Sequence, residues 1–199
     1  MTQQDRDLTA LIGSRICHDL ISPLGAIGNG VELLQLSGMA DSPEMALIAE
    51  SVTNANLRIR YFRVAFGAAN DDQMIAENEI HAVLAPGVDG RKIEVNWQPN
   101  GNQPRGAVKL AFLILQCFET AMPWGGRIDV RNDGEHWQIR GQADKLKLDA
   151  ELWNLLTARR GDIDVPPAQV HFALIAPELE RQNRTAGVTL SEHSISVEF

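Results

Sequence analysis

The sequence has little of what marks a secreted, zinc-binding or membrane protein. It contains two cysteines among 199 residues, and Cys17 and Cys117 stand far apart along the chain. Such isolated cysteines fit neither a disulfide framework nor a zinc site. No run of about 18 apolar residues occurs, which argues against a membrane-spanning helix. The N-terminal MTQQDRDL lacks the layout of a signal peptide, so we expect a cytoplasmic protein with reduced thiols.

Positive charge is also scarce, since the formal net charge is −8 at pH 7. Binding to nucleic acid needs a clustered positive surface, so we expect no nucleic-acid partner. Arg58, Arg60 and Arg63 form one local exception on a predicted helix, where a solvated helix face is favoured over a phosphate-binding patch. Gly-x-Ser-x-Gly and His-Glu-x-x-His motifs are missing as well, so the sequence offers no basis for those classes of hydrolase.

Apolar residues within positions 1–70 recur every three or four residues, the spacing of a helix with one apolar face. In the first predicted helix they are Leu8, Ile12, Ile16, Leu20, Leu24, Ile27, Val31 and Leu34. In the second they are Met45, Ile48, Val52, Ala55, Ile59, Phe62 and Phe66. One helical hairpin cannot cover both stripes, so either a second hairpin or the rest of the chain must cover them. The simplest solution, and the one we expect, is a homodimer in which two hairpins form a four-helix bundle.

The residues between the two stripes carry helix stop and start signals. Gly38 favours a left-handed helix end. Asp41 or Ser42 can cap the next helix, and Pro43 is tolerated in a first helical turn. We therefore expect the hairpin to turn between these positions.

A polar stretch from Ala68 to Asn78 separates a hairpin domain, residues 1–70, from a second domain, residues 78–199. In the second domain, short and alternating apolar runs predict strands at 80–84, 92–97, 127–131, 136–140, 188–190 and 195–199. Longer apolar patterns predict helices at 105–122, 148–158 and 168–181. Strands and helices interleaved in this way indicate an α/β sandwich in which helices cover a sheet.

The most informative segment lies in the first helix and contains a histidine. At about 100° per residue, His18 projects away from the apolar stripe. Its neighbours on the same exposed face are small or polar, namely Ser14, Ser22, Gly25 and Asn29. A histidine in such surroundings can be approached closely by another protein. Because a lone surface histidine is more often without a function, the interpretation needs further support.

Asp19 and Pro23 supply that support. Asp19 follows the histidine directly, and an adjacent carboxylate can orient an imidazole or accept its proton. Pro23 cannot donate a hydrogen bond to the carbonyl of Asp19 and should kink the helix. A proline inside a helix costs about 3 kcal/mol, so its presence suggests a compensating role.

The run His18-Asp-Leu-Ile-Ser-Pro-Leu-Gly-Ala-Ile, followed by Glu32-Leu-Leu, resembles the H-box in the dimerisation and phosphoacceptor domain of sensor histidine kinases. In that family the histidine is phosphorylated, the acidic residue after it assists, and a proline stands five residues on. His18, Asp19 and Pro23 match these three positions. The resemblance implies that His18 and Asp19 carry the chemistry. The surrounding residues expected to contact a partner are Ser14, Arg15, Ser22, Gly25 and Asn29.

The second domain resembles the ATP-binding domain of these kinases in outline but departs from it at the nucleotide site. The two asparagines of the family's N-box fall on Gln116 and Thr120, and the glycine-rich box falls on Gly141-Gln-Ala-Asp-Lys-Leu. Thr120 cannot replace an asparagine carbonyl as a magnesium ligand without rearrangement, and no glycine loop is present to hold phosphate. The resemblance implies a histidine-kinase-ATPase-like fold. Because the residues of its nucleotide site are replaced, we expect this domain to bind neither nucleotide nor metal.

A kinase-like hairpin joined to a degenerate ATPase-like domain is similar to the ChpT-type dimeric histidine phosphotransferase family of alphaproteobacteria. The resemblance implies an ATP-independent phosphotransferase of a two-component phosphorelay. His18 would take phosphoryl from the receiver domain of a hybrid kinase and pass it to receiver domains of response regulators. No cofactor is expected in this chain, because the magnesium is held by the acidic pocket of the receiver.

Two alternatives remain open at the level of the sequence. One is an active histidine kinase with an unusual nucleotide site. The other is a non-catalytic module that sequesters a receiver domain and in which His18 has no chemical role.

Overall fold

The computed structural model describes residues 3–37, 42–70, 72–85, 92–157 and 165–199. The chain divides into two compact units, with the boundary between Ala68 and Ala69. The first unit is helical and the second is an α/β domain. A helical hairpin followed by an α/β domain is the fold class that the sequence predicts, and it is confirmed.

The first unit is a hairpin of two long helices, α1 (Gln3–Leu36) and α2 (Pro43–Phe66). Ser42 caps α2, because its hydroxyl oxygen accepts a hydrogen bond from the backbone N–H of Met45 at 3.3 Å. The predicted stop at Gly38 and the alternative cap at Asp41 lie outside the described residues. No helix in the described ranges is both long and apolar enough to cross a membrane.

Small residues let the two helices approach closely. A Cβ atom added at Gly28 would lie 3.4 Å from Cγ1 of Val52, and one at Gly13 would lie 3.3 Å from the carbonyl oxygen of Phe66. Cys17 and Val31 of α1 are also buried. The face of α1 that meets α2 therefore runs along positions 13, 17, 28 and 31, beside the predicted stripe and only partly within it.

Much of the predicted stripe of α1 is exposed in the single chain. The exposed members are Ile12, Ile16, Leu20, Ile27 and Leu34, each between 42% and 53% accessible. At about 100° per residue these five positions share an arc of roughly 80°, next to the face that contacts α2. We call them the outer face of α1.

The C-terminal part of α2 buries a side of the helix that the sequence pattern does not identify. Tyr61, Val64 and Ala65 are almost inaccessible, whereas Phe62 and Phe66 of the predicted stripe are only half-buried. A period of three or four residues locates an apolar face but does not reveal which side of an aromatic-rich helix is covered.

The second unit has seven strands and four α-helices in its described part. The strands are β1 (Met74–Ile75), β2 (Ile93–Trp97), β3 (Gln103–Pro104), β4 (Gly126–Asn132), β5 (Trp137–Gln142), β6 (Gly187–Leu190) and β7 (Ser194–Glu198). The helices are α3 (Glu77–Leu84), α4 (Arg105–Ala121), α5 (Ala150–Asn154) and α6 (Val170–Arg181). Five strands form a sheet in the order β2-β4-β5-β7-β6, in which β2 and β4 are parallel and the other pairs are antiparallel.

The core of this unit lies between the sheet and α4. Helix α4 is buried on almost every side, and it packs beside α6. The apolar sheet residues that are fully buried are Ile128, Val130, Ile139, Ile195 and Val197. They alternate with polar residues along their strands, which is the pattern of a sheet with one covered face.

Two secondary-structure predictions in the second domain are wrong. Residues 80–84 belong to helix α3 and not to a strand, because Ile80, Val83 and Leu84 are three and four residues apart and share one buried helical face. The helix predicted at 148–158 is shorter, since α5 covers Ala150–Asn154 and is followed by a turn to residue 157. Residue 158 lies outside the described residues.

Candidate functional site

His18 lies in the middle of α1, and 80% of its side chain is exposed. The helix places it on the side away from the outer face, as the sequence predicts. Pro23 lies within the same helix and leaves the carbonyl of Asp19 without its usual backbone donor. The ring therefore projects into solvent from a long helix.

Asp19 and Arg15 form a chain of contacts that leads to the imidazole. The Nδ1 atom of His18 lies 3.2 Å from Oδ1 of Asp19, and Nε of Arg15 donates a hydrogen bond of 2.8 Å to Oδ2 of the same carboxylate. The hydrogen bond from His18 lowers the pKa of Asp19, and Arg15 lowers it further. Asp19 is therefore a carboxylate at neutral pH, which can only accept hydrogen bonds.

This acceptor determines which nitrogen of the neutral imidazole carries the proton. Because the carboxylate of Asp19 cannot donate, the Nδ1 atom of His18 must be the donor in their contact. The Nε2 atom of a neutral ring then keeps its lone pair. The arrangement presents an exposed nitrogen nucleophile whose ring orientation is set by a neighbouring carboxylate.

The other residues expected around His18 differ in their surroundings. Ser22 and Asn29 are exposed, and a Cβ atom added at Gly25 would meet no atom within 4 Å. These three positions leave open space on the surface near the ring. Ser14 is half-buried, and its hydroxyl oxygen accepts a hydrogen bond of 3.2 Å from the backbone N–H of Ala68, just beyond the end of α2.

Cys17 precedes the histidine but faces the other helix. Its side chain is buried, and burial raises the pKa of the thiol, although the charge of Arg63 opposes this shift. Arg58 lies over the rings of Tyr61 and Phe62, at 5.5 and 4.8 Å from their centroids. Arg58 therefore packs on aromatic residues of its own helix, three and four residues further along the chain.

The two positions that correspond to the N-box asparagines both lie on α4, and Thr120 is half-buried. Gln116 is buried, and its Nε2 atom has no hydrogen-bond partner among the described residues. The hydroxyl of Thr120 donates to the carbonyl of Gln116 at 3.0 Å and lies 3.2 Å from Nε2 of the buried His171. The hydroxyl of Thr120 therefore contacts protein groups on both sides. Within the described ranges, no group of three or more His, Cys, Asp or Glu side chains is arranged to hold a metal ion.

Comparison with known proteins assigns the family. The model of the histidine phosphotransferase C-terminal domain matches residues 77–194. A curated relative, protein phosphotransferase ChpT of Brucella abortus (strain 2308), is 35% identical over 196 residues, which cover 94% of this chain and 90% of the relative. The chain belongs to the histidine phosphotransferase family. The family model covers the second unit, and the ChpT relative extends the similarity to the hairpin that carries His18.

A solved phosphotransferase structure agrees with this assignment. A bacterial phosphotransferase determined at 1.7 Å shares 27% identity, with a TM-score of 0.69 over 100% of this chain and 97% of that one. A histidine kinase domain from the blue-light activated kinase of Erythrobacter litoralis EL346 is also similar, at 15% identity and a TM-score of 0.47 over 91% of this chain and 93% of that one. The resemblance to histidine phosphotransferases, which the kinase-like hairpin and the degenerate ATPase-like domain together indicate, is confirmed by the relative, the family model and the phosphotransferase structure.

Proposed function

We propose that this histidine phosphotransferase carries phosphoryl groups on Nε2 of His18, between the receiver domain of a hybrid kinase and receiver domains of response regulators. The observation that carries the proposal is the His18–Asp19 contact on an exposed helix face. It combines an accessible nucleophile with a fixed tautomer, on the hairpin of a chain that belongs to a phosphotransferase family.

The chemistry is a reversible exchange between an acyl phosphate and a phosphoramidate. The lone pair of His18 Nε2 attacks the phosphorus of the receiver's aspartyl phosphate, a P–N bond forms, and the P–O bond to the aspartate breaks. The released carboxylate stays on the receiver. The ring becomes an imidazolium that keeps its proton on Nδ1, and the carboxylate of Asp19 stabilises that charge. Transfer to a second receiver reverses these bonds.

Magnesium enters the proposal as a component of the partner. The transferred phosphoryl group spreads negative charge over its oxygens, and a metal ion in the acidic pocket of the receiver neutralises it. The role of this chain is then to present the nucleophile and to leave room for the receiver. The open surface near Ser22, Gly25 and Asn29 suits that role, with Ser14 and Arg15 at its margin.

ATP independence is part of the same proposal. In the kinase family two asparagines hold the nucleotide and its magnesium. Here Gln116 is buried, and the hydroxyl of Thr120 donates to the backbone carbonyl of Gln116. The phosphoryl group therefore enters and leaves through His18 alone. This distinguishes a relay from a kinase with an unusual nucleotide site.

The outer face of α1 supports a homodimer. Five large apolar side chains, exposed in one chain, lie next to the face that packs on α2 and away from His18. A second copy would cover them in a four-helix bundle and leave both copies of His18 at the surface. Contiguous exposed apolar surface of this kind marks an association site.

Transfer of label from a receiver domain tests the proposal. A receiver domain carrying ³²P on its aspartate is incubated with the wild-type chain, with His18→Ala and with His81→Ala, which removes an exposed histidine of α3. The wild type and His81→Ala should become labelled, and His18→Ala should not. Labelled His18→Ala would refute the proposal. A wild-type chain that binds the receiver without taking label would instead indicate a sequestering module.

A further inference from the structure

Arg15 is placed to control the carboxylate that contacts the phosphoacceptor. It lies one helical turn before Asp19, and its Nε donates the 2.8 Å hydrogen bond to Oδ2 while Oδ1 contacts the imidazole. Three side chains on two turns of α1 thus form one linear set, Arg15–Asp19–His18. The sequence groups Arg15 with the residues that contact a partner, but its contacts in the structure are directed at Asp19.

The contact between Asp19 and His18 needs support, because neighbours in a helix point about 100° apart. An aspartate can reach back to the preceding ring in only part of its conformational range. Residues four apart lie on the same side of a helix, so Arg15 can hold the carboxylate from the next turn. The charged hydrogen bond from Nε of Arg15 holds Oδ2, and this leaves Oδ1 directed at the imidazole.

We propose that Arg15 is a positioning residue that acts through Asp19 to keep the proton of the His18 ring on Nδ1 and the lone pair on Nε2. The inference rests on the proposed phosphotransfer through His18 and adds the residue that prepares the ring for it. Without Arg15, the carboxylate of Asp19 rotates away for part of the time. The neutral ring then distributes its proton between both nitrogens, and a fraction of the molecules has no nucleophile at Nε2.

The Arg15–Asp19 pair orients the His18 ring and contributes little to the free energy of folding. The side chains of Arg15 and Asp19 are 75% and 50% exposed, and ion pairs at such sites add little to stability. Removal of Arg15 should therefore leave the hairpin intact. A role in docking predicts weaker receiver binding, whereas a role in positioning predicts a slower transfer step.

Nitrogen NMR of the His18 ring measures the tautomer directly. The wild-type chain, Arg15→Ala, Arg15→Lys and Asp19→Asn are compared at a pH where the ring is neutral. In the wild type the Nδ1 signal should be that of a protonated nitrogen. In Arg15→Ala and Asp19→Asn it should shift towards the average of two tautomers, and Arg15→Lys should lie in between. Arg60→Ala removes an exposed arginine from α2 and should leave the ring signals unchanged.

Single-turnover transfer from a phosphorylated receiver separates positioning from docking. Arg15→Ala should lower the maximal transfer rate about 10-fold, and Asp19→Asn about 100-fold, with little change in the receiver concentration at half-maximal rate. The double variant should be no slower than Asp19→Asn alone, because Arg15 acts through the carboxylate.

Two results would overturn the inference while leaving phosphotransfer through His18 in place. One is an unchanged ring tautomer in Arg15→Ala. The other is a rise in the receiver concentration at half-maximal rate without a change in the maximal rate, additive with the effect of Asp19→Asn. That result would make Arg15 a docking residue. Failure of the function itself has a separate signature, because label would then enter His18→Ala or would not enter the wild type.

Discussion

Glu178 on α6 is a buried carboxylate held by three donors. Oε2 lies 3.2 Å from Nζ of Lys109 on α4, and Oε1 accepts hydrogen bonds from Arg181 at 2.6 Å and from Gln182 at 2.8 Å. Burial by itself would raise the pKa of Glu178, but these partners outweigh it and the pKa is lowered. Burial also lowers the pKa of Lys109. The network joins α4 and α6.

Glu178→Ala should destabilise the second unit by about 3 kcal/mol, because it leaves the ammonium of Lys109 buried without its partner. Since the folded pKa of Glu178 is depressed, its stabilisation is present above the unfolded pKa and is lost as the pH falls through the folded one. The difference between variant and wild type should therefore shrink in acid. Urea unfolding followed by tryptophan fluorescence measures both effects.

Glu135→Ala serves as the matched control, because Glu135 lies exposed in the turn between β4 and β5. It should change the free energy of unfolding by less than about 0.5 kcal/mol. An equal, small effect of both substitutions would show that the network at Glu178 contributes no more than an exposed residue.

Individual residues were predictable to different degrees. The motif around His18 and Asp19 can be read directly, because its members are adjacent in the chain and its chemistry is local. Lys109 and Glu178 could not be identified as a buried pair, since charged residues on helices are usually exposed and these two are brought together from distant positions. The hydrogen bond from Ala68 to Ser14 spans 54 residues and is equally invisible in the sequence.

At the scale of elements, helix α4 lies so close to the sheet that β5 requires a glycine. A Cβ atom at Gly141 would lie 2.5 and 2.7 Å from Cδ1 and Cε1 of Phe118, and 3.0 Å from the sulfur of Met122. Gly126, on the neighbouring β4, has a positive φ of 147°. The close approach places the buried face of α4 directly on the strands.

Gly141→Ala should destabilise the second unit by about 1–3 kcal/mol, because the added methyl group overlaps a buried aromatic ring. Gly187→Ala on the edge strand β6 adds the same group where no atom lies within 4 Å. It should be neutral or slightly stabilising, since it reduces the conformational freedom of the unfolded chain. Thermal unfolding monitored by circular dichroism compares the two. Equal melting temperatures for the two variants would mean that the core beside Gly141 accommodates the added methyl group without a loss of stability.

Elements that are long and strongly periodic were predicted well, as α1, α2 and α4 show. The segment 80–84 was misassigned because five apolar-rich residues fit a strand as easily as one and a half turns of helix. What decides it is the rest of α3, in which Glu77 and Glu79 occupy the first turn and the apolar residues pack on one side. Short elements of this kind take their conformation from the surface that they cover.

For the whole molecule, the outer face of α1 leads to a testable assembly. Ile27→Asp should convert the proposed dimer into a monomer, because it would place an unpaired charge inside the bundle. Leu33→Asp is the control: Leu33 is 67% exposed but lies outside the outer face. Light scattering at micromolar concentration should find dimers for the wild type and for Leu33→Asp, and monomers for Ile27→Asp. A monomeric wild type would contradict the four-helix bundle.

The second unit should not bind nucleotide. Gln116 is buried in α4, and the hydroxyl of Thr120 already contacts the carbonyl of Gln116 and Nε2 of His171, so neither residue can serve as a magnesium ligand without rearrangement of α4 and its neighbours. Calorimetric titration of the full chain with ATP and magnesium should give no heat of binding at micromolar concentrations. Binding in that range would restore the kinase interpretation, and transfer of the γ-phosphoryl to His18 would then be the next measurement.

The sequence by itself determined the hairpin, the α/β character of the second unit and the phosphoacceptor motif. Helical periodicity and the chemistry of adjacent residues are local, so they can be recognised from the sequence alone. Tertiary structure alone decided which part of the stripe of α1 meets α2 and which part stays exposed. It also decided that Lys109 and Glu178 form a buried pair, because the two residues come together from distant positions in the chain. Contacts between segments that are far apart in the chain set these features, and a sequence pattern does not show which of those segments lie close together in space.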